Sequence, residues 1–309
     1  MTVINTRNAE TINIESNGSY DVARYTTANV NVTPTLCIQK AKDANGKVQN
    51  GSTLIDLDGA TDVGDYALRY AYANNISITG TVDLSSLTTV SGNYGCYTEF
   101  NSSTNITAVN LSSLTTVSGS NGCGYMFQKC TGITSIDLSS LTTISGEYCC
   151  SGMFSGCTGI TGAIDLSGLT TISGSYGCYS MFYGCTGITA VDLSNLTTIS
   201  GNYCCSGMFQ DCTGITSVDL SSLTTVSGGY GCRNMFNGCT SLTSLSFPAL
   251  TSTSFGDNTN QFNGMLQGVT GCTVHFPSNL QSVIGSWSDV TAGFGGTNTT
   301  VLFDLTATE

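Results

Sequence analysis

One short segment recurs along most of this chain of 309 residues and constrains its fold more than any other feature. Variants of IDLSSLTTISG bring an Asp or Asn to the same point of the repeat, in steps of 27, 27, 28, 27 and 27 residues: Asp83, Asn110, Asp137, Asp165, Asp192 and Asp219. Weaker matches extend the frame back to Asp56 and forward to Ser246. Fixed periods of roughly 20–50 residues are typical of solenoids, in which each unit packs against its neighbours. The repeat therefore predicts about eight stacked coils of 27 residues.

The coil that begins at Ile133 shows how one unit folds. Its apolar residues lie at offsets 0, 3, 5, 8 and 11: Ile133, Ile136, Leu138, Leu141 and Ile144. Apolar and polar residues alternate around Asp137, which predicts a short parallel strand. A Ser-Gly turn signal follows at residues 145–146,. The next apolar residues are spaced i, i+3, i+4 and i+7, which predicts a short helical or 3-10 turn: Cys150, Met153, Phe154 and Cys157,.

The apolar spacing is similar to the L-x-x-L-x-L outline of leucine-rich repeats. Residues 63–68 (VGDYAL) resemble the I-G-x-x-A-F element of BspA-like bacterial leucine-rich repeats. Residues 153–167 (MFSGCTGITGAIDLS) and 208–221 (MFQDCTGITSVDLS) resemble the M-F-x-x-C-x-x-L-x-x-L-D-L-S units of that group. The resemblance covers residues 54–280 and implies a right-handed solenoid. Such repeats occur on bacterial and protist surface proteins and in gut phage tail proteins, so it also implies adhesion or binding.

The ends of the chain do not repeat, which predicts three parts. Residues 1–50 are expected to form a small β unit and a linker, residues 51–270 the solenoid, and residues 271–309 a C-terminal cap sealed by Trp287, Phe294 and Phe303. Residues 15–32 (ESNGSYDVARYTTANVNV) resemble a segment near the start of phage tail-associated proteins. The N-terminus has neither the basic nor the apolar region of a secretory signal, so we expect none.

Composition narrows the function classes. Eight Lys and Arg face 20 Asp and Glu, which gives a formal net charge of −12. A nucleic-acid binder needs clustered Lys and Arg, so nucleic acid is not expected as a partner. The single His disfavours acid–base catalysis,. No stretch approaches the roughly 18 apolar residues of a membrane span. We therefore expect no enzyme activity, no cofactor and no membrane span.

Most of the cysteines fall into two columns of the repeat. The first contains Cys96, Cys123, Cys150, Cys178, Cys205 and Cys232, and the second contains Cys130, Cys157, Cys185, Cys212 and Cys239. The favoured interpretation is buried free thiols that act as small apolar residues. Disulfides within or between coils are the alternative. A metal site is disfavoured because no C-x-x-C motif is present and His275 is the only imidazole,.

Three further columns are candidates for binding. The strand carboxylates Asp137, Asp165, Asp192 and Asp219 should face solvent about 4.8 Å apart. The favoured interpretation is a solvated polar ladder stabilised by neighbouring Ser and Thr. Repulsion should raise some of the pKa values in this column unless a hard cation bridges the carboxylates, which is the alternative. The tyrosine column could contact sugar rings or a protein partner, or simply pack the corners of the coils: Tyr94, Tyr148, Tyr176, Tyr203 and Tyr230,. Thr-Thr pairs should expose one Thr each, and an ice-binding ladder is a minor alternative.

Taken together, these features predict a non-enzymatic structural or binding protein. The favoured hypothesis is a phage virion component of tail or fibre type, released by lysis, whose array faces a host receptor or glycan. Residues 1–50 would attach it to other virion or surface proteins. The alternative is a bacterial cell-surface adhesin. The sequence leaves open whether the chain forms homo-oligomers.

Overall fold

The computed structural model describes residues 61–65, 68–69, 73–74, 76, 78–251, 253–255, 260–284 and 294–306. The predicted N-terminal β unit, the phage-like segment and Trp287 lie outside the described residues.

Two series of parallel strands run along the described chain and are numbered together in chain order. The longer strands form what we call the strand face: β1 (Gly80–Asp83), β3 (Ile106–Asn110), β5 (Ser135–Asp137), β7 (Thr161–Asp165), β9 (Gly187–Asp192), β11 (Ser217–Asp219), β13 (Ser244–Ser246), β14 (Thr273–Pro277) and β15 (Thr300–Leu305). The two-residue strands form what we call the Thr face: β2 (Thr89–Val90), β4 (Thr116–Val117), β6 (Thr143–Ile144), β8 (Thr171–Ile172), β10 (Thr198–Ile199) and β12 (Thr225–Val226). Helix in the described residues is confined to a 3-10 turn at Ser278–Leu280 and an α-helix at Gln281–Ile284.

The strand register confirms that one repeat forms one coil. On the strand face, Asp192 of β9 lies between Asp165 of β7 and Asp219 of β11 in parallel pairing. The six short strands form one continuous parallel sheet. The longer strands form three sheets of three, β1-β3-β5, β7-β9-β11 and β13-β14-β15. The predicted solenoid of stacked coils is therefore the observed fold.

A third side, the turn face, closes each coil between a short strand and the next long strand. It consists of residues 93–103, 120–130, 147–157, 175–185, 202–212 and 229–239. Alternate backbone N–H groups bond within the coil and to the next coil: Glu99 donates to Cys96 at 3.3 Å, while Cys96 donates to Gly122 at 2.7 Å. Every fourth residue has a positive φ, as at Tyr94 (55°) and Thr98 (51°). Successive turns thus replace the predicted helical piece, because half of the N–H groups bond the neighbouring coil.

The core fills the space between these three faces. Its centre is a stack of parallel phenylalanine rings with centroids 5.1 to 5.8 Å apart: Phe100, Phe127, Phe154, Phe182, Phe209 and Phe236. A column of buried methionines flanks it: Met126, Met153, Met181, Met208 and Met235. At the C-terminal end, Phe294 and Phe303 pack on Phe276 of β14. Burial of these large side chains is the main favourable contribution to stacking.

Candidate binding faces

The aspartates of the strand face cap the turns that follow their strands. Asp137 Oδ1 accepts the backbone N–H of Ser139 at 3.1 Å, and Asp192 Oδ1 accepts that of Ser194 at 2.9 Å. Asn110, the one amide in the column, accepts the N–H of Ser112 at 3.1 Å in the same way. This pattern is the Asx turn, in which the side chain bonds the backbone two residues on. The carboxylates therefore have a structural role that an amide also fills.

The prediction that repulsion raises the pKa values in this column is wrong for Asp165. The hydroxyl and backbone N–H of Ser167 donate to Asp165 Oδ1 at 2.6 and 2.9 Å and lower the pKa of that carboxyl. At Asp165, hydrogen bonds to the charged form outweigh the opposing effect of burial on the pKa,. Within the described ranges, no group of three or more His, Cys, Asp or Glu side chains is arranged to hold a metal ion.

A shallow depression of about 430 Å³ lies on the strand face between β7 and β13. Small side chains line it, together with Asp192 and Asp219: Ala163, Ala190, Ser217, Ser246 and Pro248. Small lining residues leave a broad floor with few groups that could enclose a ligand. Small-molecule sites, in contrast, are enclosed pockets that bury most of the ligand.

The only histidine, His275, connects β14 to β15. Its Nδ1 lies 2.9 Å from Asp304 Oδ2, which joins β14 to β15. Ser246 of β13 lies opposite His275 in the strand register. No hydrogen bond joins the Ser246 and His275 side chains. The His275–Asp304 contact therefore holds β14 and β15 together at the C-terminal end of the sheet.

The Thr face exposes both residues of each Thr pair, in contrast to the expectation that one is hidden. Thr115 and Thr116, for example, are both half-buried. The strand begins only at the second Thr, so strict alternation does not apply to the first. The hydroxyl of the first Thr donates to the backbone carbonyl of the equivalent Thr in the preceding coil, at 2.9 to 3.1 Å. The donors are Thr88, Thr115, Thr142, Thr170, Thr197 and Thr224. These hydroxyls tie coil to coil.

The turn face carries the tyrosine column, and four of its rings form one continuous stack. Tyr148, Tyr176, Tyr203 and Tyr230 are half-buried, with successive centroids 4.6, 5.0 and 4.9 Å apart and planes within 13° of parallel. Tyr94 lies apart from this stack because Asn121 occupies the intervening coil. Of the five predicted tyrosines, the structure thus brings four together.

Each stacked tyrosine has a left-handed backbone. The φ angles of Tyr148, Tyr176, Tyr203 and Tyr230 are 53° to 56°. For a side chain with a Cβ, this conformation costs about 1–2 kcal/mol per residue. Each stacked aromatic pair stabilises the fold by about 0.5–1.5 kcal/mol, so stacking offsets much of the strain. Strain of this kind is often found at functional sites.

The stack also determines what a ligand can touch. Neighbouring rings cover one another's faces, so edges and hydroxyl groups are what the column presents to solvent. At one end, the guanidinium of Arg233 lies 5.6 Å from the centroid of Tyr230. Arg69 lies 4.9 Å from the centroid of Tyr94. Along the column, a bound sugar or protein partner would therefore meet ring edges and hydroxyl groups.

The sequence carries a family signature that covers these three faces. Residues 57–176 and 152–283 match the BspA type leucine rich repeat region, which is found in six copies. This chain belongs to that family. No curated protein matches the chain. The resemblance inferred from the M-F-x-x-C units is thereby confirmed for the BspA-type repeat.

Solved structures of bacterial leucine-rich repeat proteins resemble this BspA-type chain. A leucine-rich repeat protein of T. pallidum is 21% identical, with 71% of this chain and 86% of that chain covered and a TM-score of 0.44. A leucine-rich repeat protein of Eubacterium ventriosum is 20% identical, with 70% and 51% covered and a TM-score of 0.38. A leucine-rich cell surface protein of Faecalibacterium prausnitzii is 14% identical, with 82% and 85% covered and a TM-score of 0.23. These likenesses concern the fold alone.

The thiols of this BspA-type solenoid are structural. All cysteines in the described ranges are buried and free. In the second column each thiol donates to the carbonyl of a core phenylalanine one coil back, as from Cys157 to Phe127 at 3.0 Å. Burial raises the pKa of the Cys130 and Cys185 thiols to about 12. These two thiols are therefore protonated at neutral pH and lack the thiolate that nucleophilic chemistry requires.

Sequence reasoning missed several residues that break the BspA-type columns. Glu99 lies in the methionine column and is fully buried. Tyr179, Tyr183 and Asp211 likewise differ from the residues at the equivalent positions of adjacent coils. Comparison of equivalent positions between coils could have found all four.

No helix in the described part of the chain is long and apolar enough to cross a membrane.

Proposed function

We propose that this BspA-type solenoid is a non-enzymatic adhesion protein whose turn face binds a host surface receptor or glycan. The observation that carries the proposal is the tyrosine stack, which keeps four half-exposed aromatic residues in a strained backbone. Tyrosine provides a rigid surface with a polar tip and is favoured in recognition surfaces. Solenoids use such extended, regular surfaces for binding.

The other two faces are less suited to recognition. The strand-face carboxylates accept hydrogen bonds from their own turns. The first Thr of each pair donates its hydroxyl to a carbonyl of the preceding coil. Because these polar groups are committed to the fold, the turn face offers the richer set of available contacts.

The virion location belongs to the same proposal. Its support is the resemblance of residues 15–32 to phage tail-associated proteins, and residues 1–50 would provide the attachment. A bacterial cell-surface adhesin is the second candidate, supported by the occurrence of BspA-like repeats on bacterial surfaces. Mass spectrometry of purified virions and of host cell-surface fractions separates the two. Recovery of the chain from cell surfaces without virions would refute the virion location.

The chain itself supplies matched variants to test the binding face. Asn121 shows that the tyrosine column accepts Asn at φ 54°. Asn110 shows that the aspartate column also accepts Asn. One variant changes four tyrosines to Asn (Tyr148, Tyr176, Tyr203 and Tyr230), and its control changes four aspartates to Asn (Asp137, Asp165, Asp192 and Asp219). Both should remain folded by circular dichroism.

The readout is binding of fluorescently labelled protein to host cells by flow cytometry. We expect the tyrosine variant to lose binding and the aspartate control to keep it. Loss in the control with binding preserved in the tyrosine variant would place recognition on the strand face. Failure of the wild-type protein to bind any host surface would refute the adhesion function.

A further inference from the structure

One coil of the turn face departs from its neighbours at two positions. Residue 179 is Tyr where the adjacent coils have Ser151 and Ser206. Residue 183 is Tyr where the next coil has Gln210. These two tyrosines are 37% and 40% exposed, more than the stacked column beside them. The middle of the solenoid therefore carries a local aromatic patch that the repeat itself does not require.

The rings of this patch differ from those of the stack. Tyr179 meets Tyr176 edge-on, with centroids 5.8 Å apart and planes at 66°. In the described part of the chain, no aromatic ring stacks on Tyr183. The coil thus presents aromatic surface that parallel neighbours do not cover.

A carboxylate from the next coil completes the patch. The Tyr183 hydroxyl donates to the carboxylate of Asp211, which raises the pKa of Tyr183 and keeps the phenol protonated at neutral pH. Asp211 has a φ of 60°, at a position where the preceding coil has Gly184. Its Oδ1 lies against Gly238, where any side chain would collide with it. The carboxylate therefore lies between Tyr183 of the preceding coil and Gly238 of the following coil.

There is room for a ligand beside these groups. A Cβ placed on Gly184 would meet no atom within 4 Å, so the notch next to Tyr183 is open. The side-chain oxygens of Gln210 and Ser180 lie on the same face, over Gly207. An exposed aromatic ring, a carboxylate and an amide thus lie on one face of the solenoid beside open space.

We propose that Tyr179, Tyr183 and Asp211 form a subsite for a neutral sugar unit of a host glycan. The inference rests on the adhesion function proposed above and names its ligand class. Pyranose rings have an apolar face of C–H groups that packs on an aromatic ring, and hydroxyls that donate to a carboxylate and an amide. Residues 82–250 contain two bases, Lys129 and Arg233, against eight acids. This charge repels sialylated and sulfated glycans and favours uncharged ones.

Neighbouring coils supply the test variants. Tyr183→Gln reproduces Gln210, Tyr179→Ser reproduces Ser206, and Asp211→Gly reproduces Gly184 at a left-handed position. Each replacement is native to the same column, so each variant should fold. The matched control is Asp137→Asn on the strand face, which reproduces Asn110 of the preceding coil and leaves the turn face intact. The ligands are neutral hexose and N-acetylhexosamine oligosaccharides with their sialylated and sulfated counterparts, on an array and then by calorimetry.

We expect wild-type protein to bind neutral oligosaccharides above their charged counterparts. Each subsite variant should lose about tenfold or more in affinity, as expected for an aromatic anchor or its partner, whereas Asp137→Asn should keep the wild-type affinity. Unchanged affinity in Tyr183→Gln and Asp211→Gly would overturn the subsite. Host-cell binding that survives glycosidase treatment but not protease treatment would overturn the sugar ligand and leave the adhesion function standing. Absence of all binding to cells would refute the adhesion function itself.

Discussion

Glu99 provides a sharp test of the stacked core, because it occupies a position where the next five coils have methionine. It is fully buried, and neither carboxyl oxygen accepts a hydrogen bond of ordinary geometry. Burial raises the pKa of Glu99 well above its usual range, and the neighbouring Cys96 thiol offsets only part of this. A buried polar group without a partner costs about 1–3 kcal/mol. Glu99→Met should therefore stabilise the protein by about 1–3 kcal/mol at pH 7, whereas most substitutions destabilise.

The effect has a defined pH dependence. The unfolded carboxyl titrates near pH 4.3 (about the value in free peptides). Because the folded pKa is raised, the native protein loses stability as pH rises above that value towards the folded pKa. Met does not titrate, so the advantage of Glu99→Met should be smallest near pH 4 and grow towards pH 8.

Urea unfolding followed by far-ultraviolet circular dichroism measures the difference in the free energy of unfolding. Glu147→Met is the exposed control and should change stability by less than about 0.5 kcal/mol. Met126→Glu repeats the burial one coil later and should destabilise the protein. The reasoning is refuted if Glu99→Met is no more stable than the Glu147→Met control, or if its advantage does not change with pH.

Three further predictions address the core and the turn face. Cys157→Ser should lower the free energy of unfolding by about 1–2 kcal/mol without changing the oligomeric state, because a hydroxyl replaces a buried thiol; identical urea midpoints would contradict it. Native protein at pH 8 should resist alkylation at its thiols, since the pKa of Cys130 is about 12, yet label fully when denatured without reductant; disulfide-linked peptides in mass spectrometry would disprove this. Phe182→Ala should lower the free energy of unfolding by about 3–5 kcal/mol, because it leaves a cavity in the ring stack. Tyr176→Asn should change the free energy of unfolding little, because relief of left-handed strain offsets lost stacking. Equal losses from the two substitutions would contradict the strain argument.

The sequence was sufficient for the longer strands, since alternation around Asp137 and the constant period determine their position and register. It did not predict the two-residue strands of the Thr face. On the turn face, the sequence predicted a short helical piece where the structure has successive turns. Cys150, Met153, Phe154 and Cys157 fit a helix of 3.6 residues per turn, and they fit a chain of turns with a period of four equally well. The deciding factor is the backbone bonding between coils, which a single-coil pattern does not contain.

The candidate sites were also predictable only in part. Column membership predicted which tyrosines align, but not that their rings cover one another. That outcome depends on backbone φ angles, which put Tyr176 and its neighbours in a left-handed conformation. The contact between Tyr183 and Asp211 joins two coils and depends on Gly238 to make room. Such contacts arise only once the coils are stacked.

The central claim is that the turn face is the recognition surface. Hydroxyl-radical footprinting with mass spectrometry, performed on the protein free and bound to host cells, measures this directly for every face at once. We expect protection of Tyr176, Tyr179 and Tyr183, with no change at Ile136 or Val218 on the strand face. Protection confined to the strand face, with the turn-face tyrosines as reactive as in the free protein, would contradict the claim.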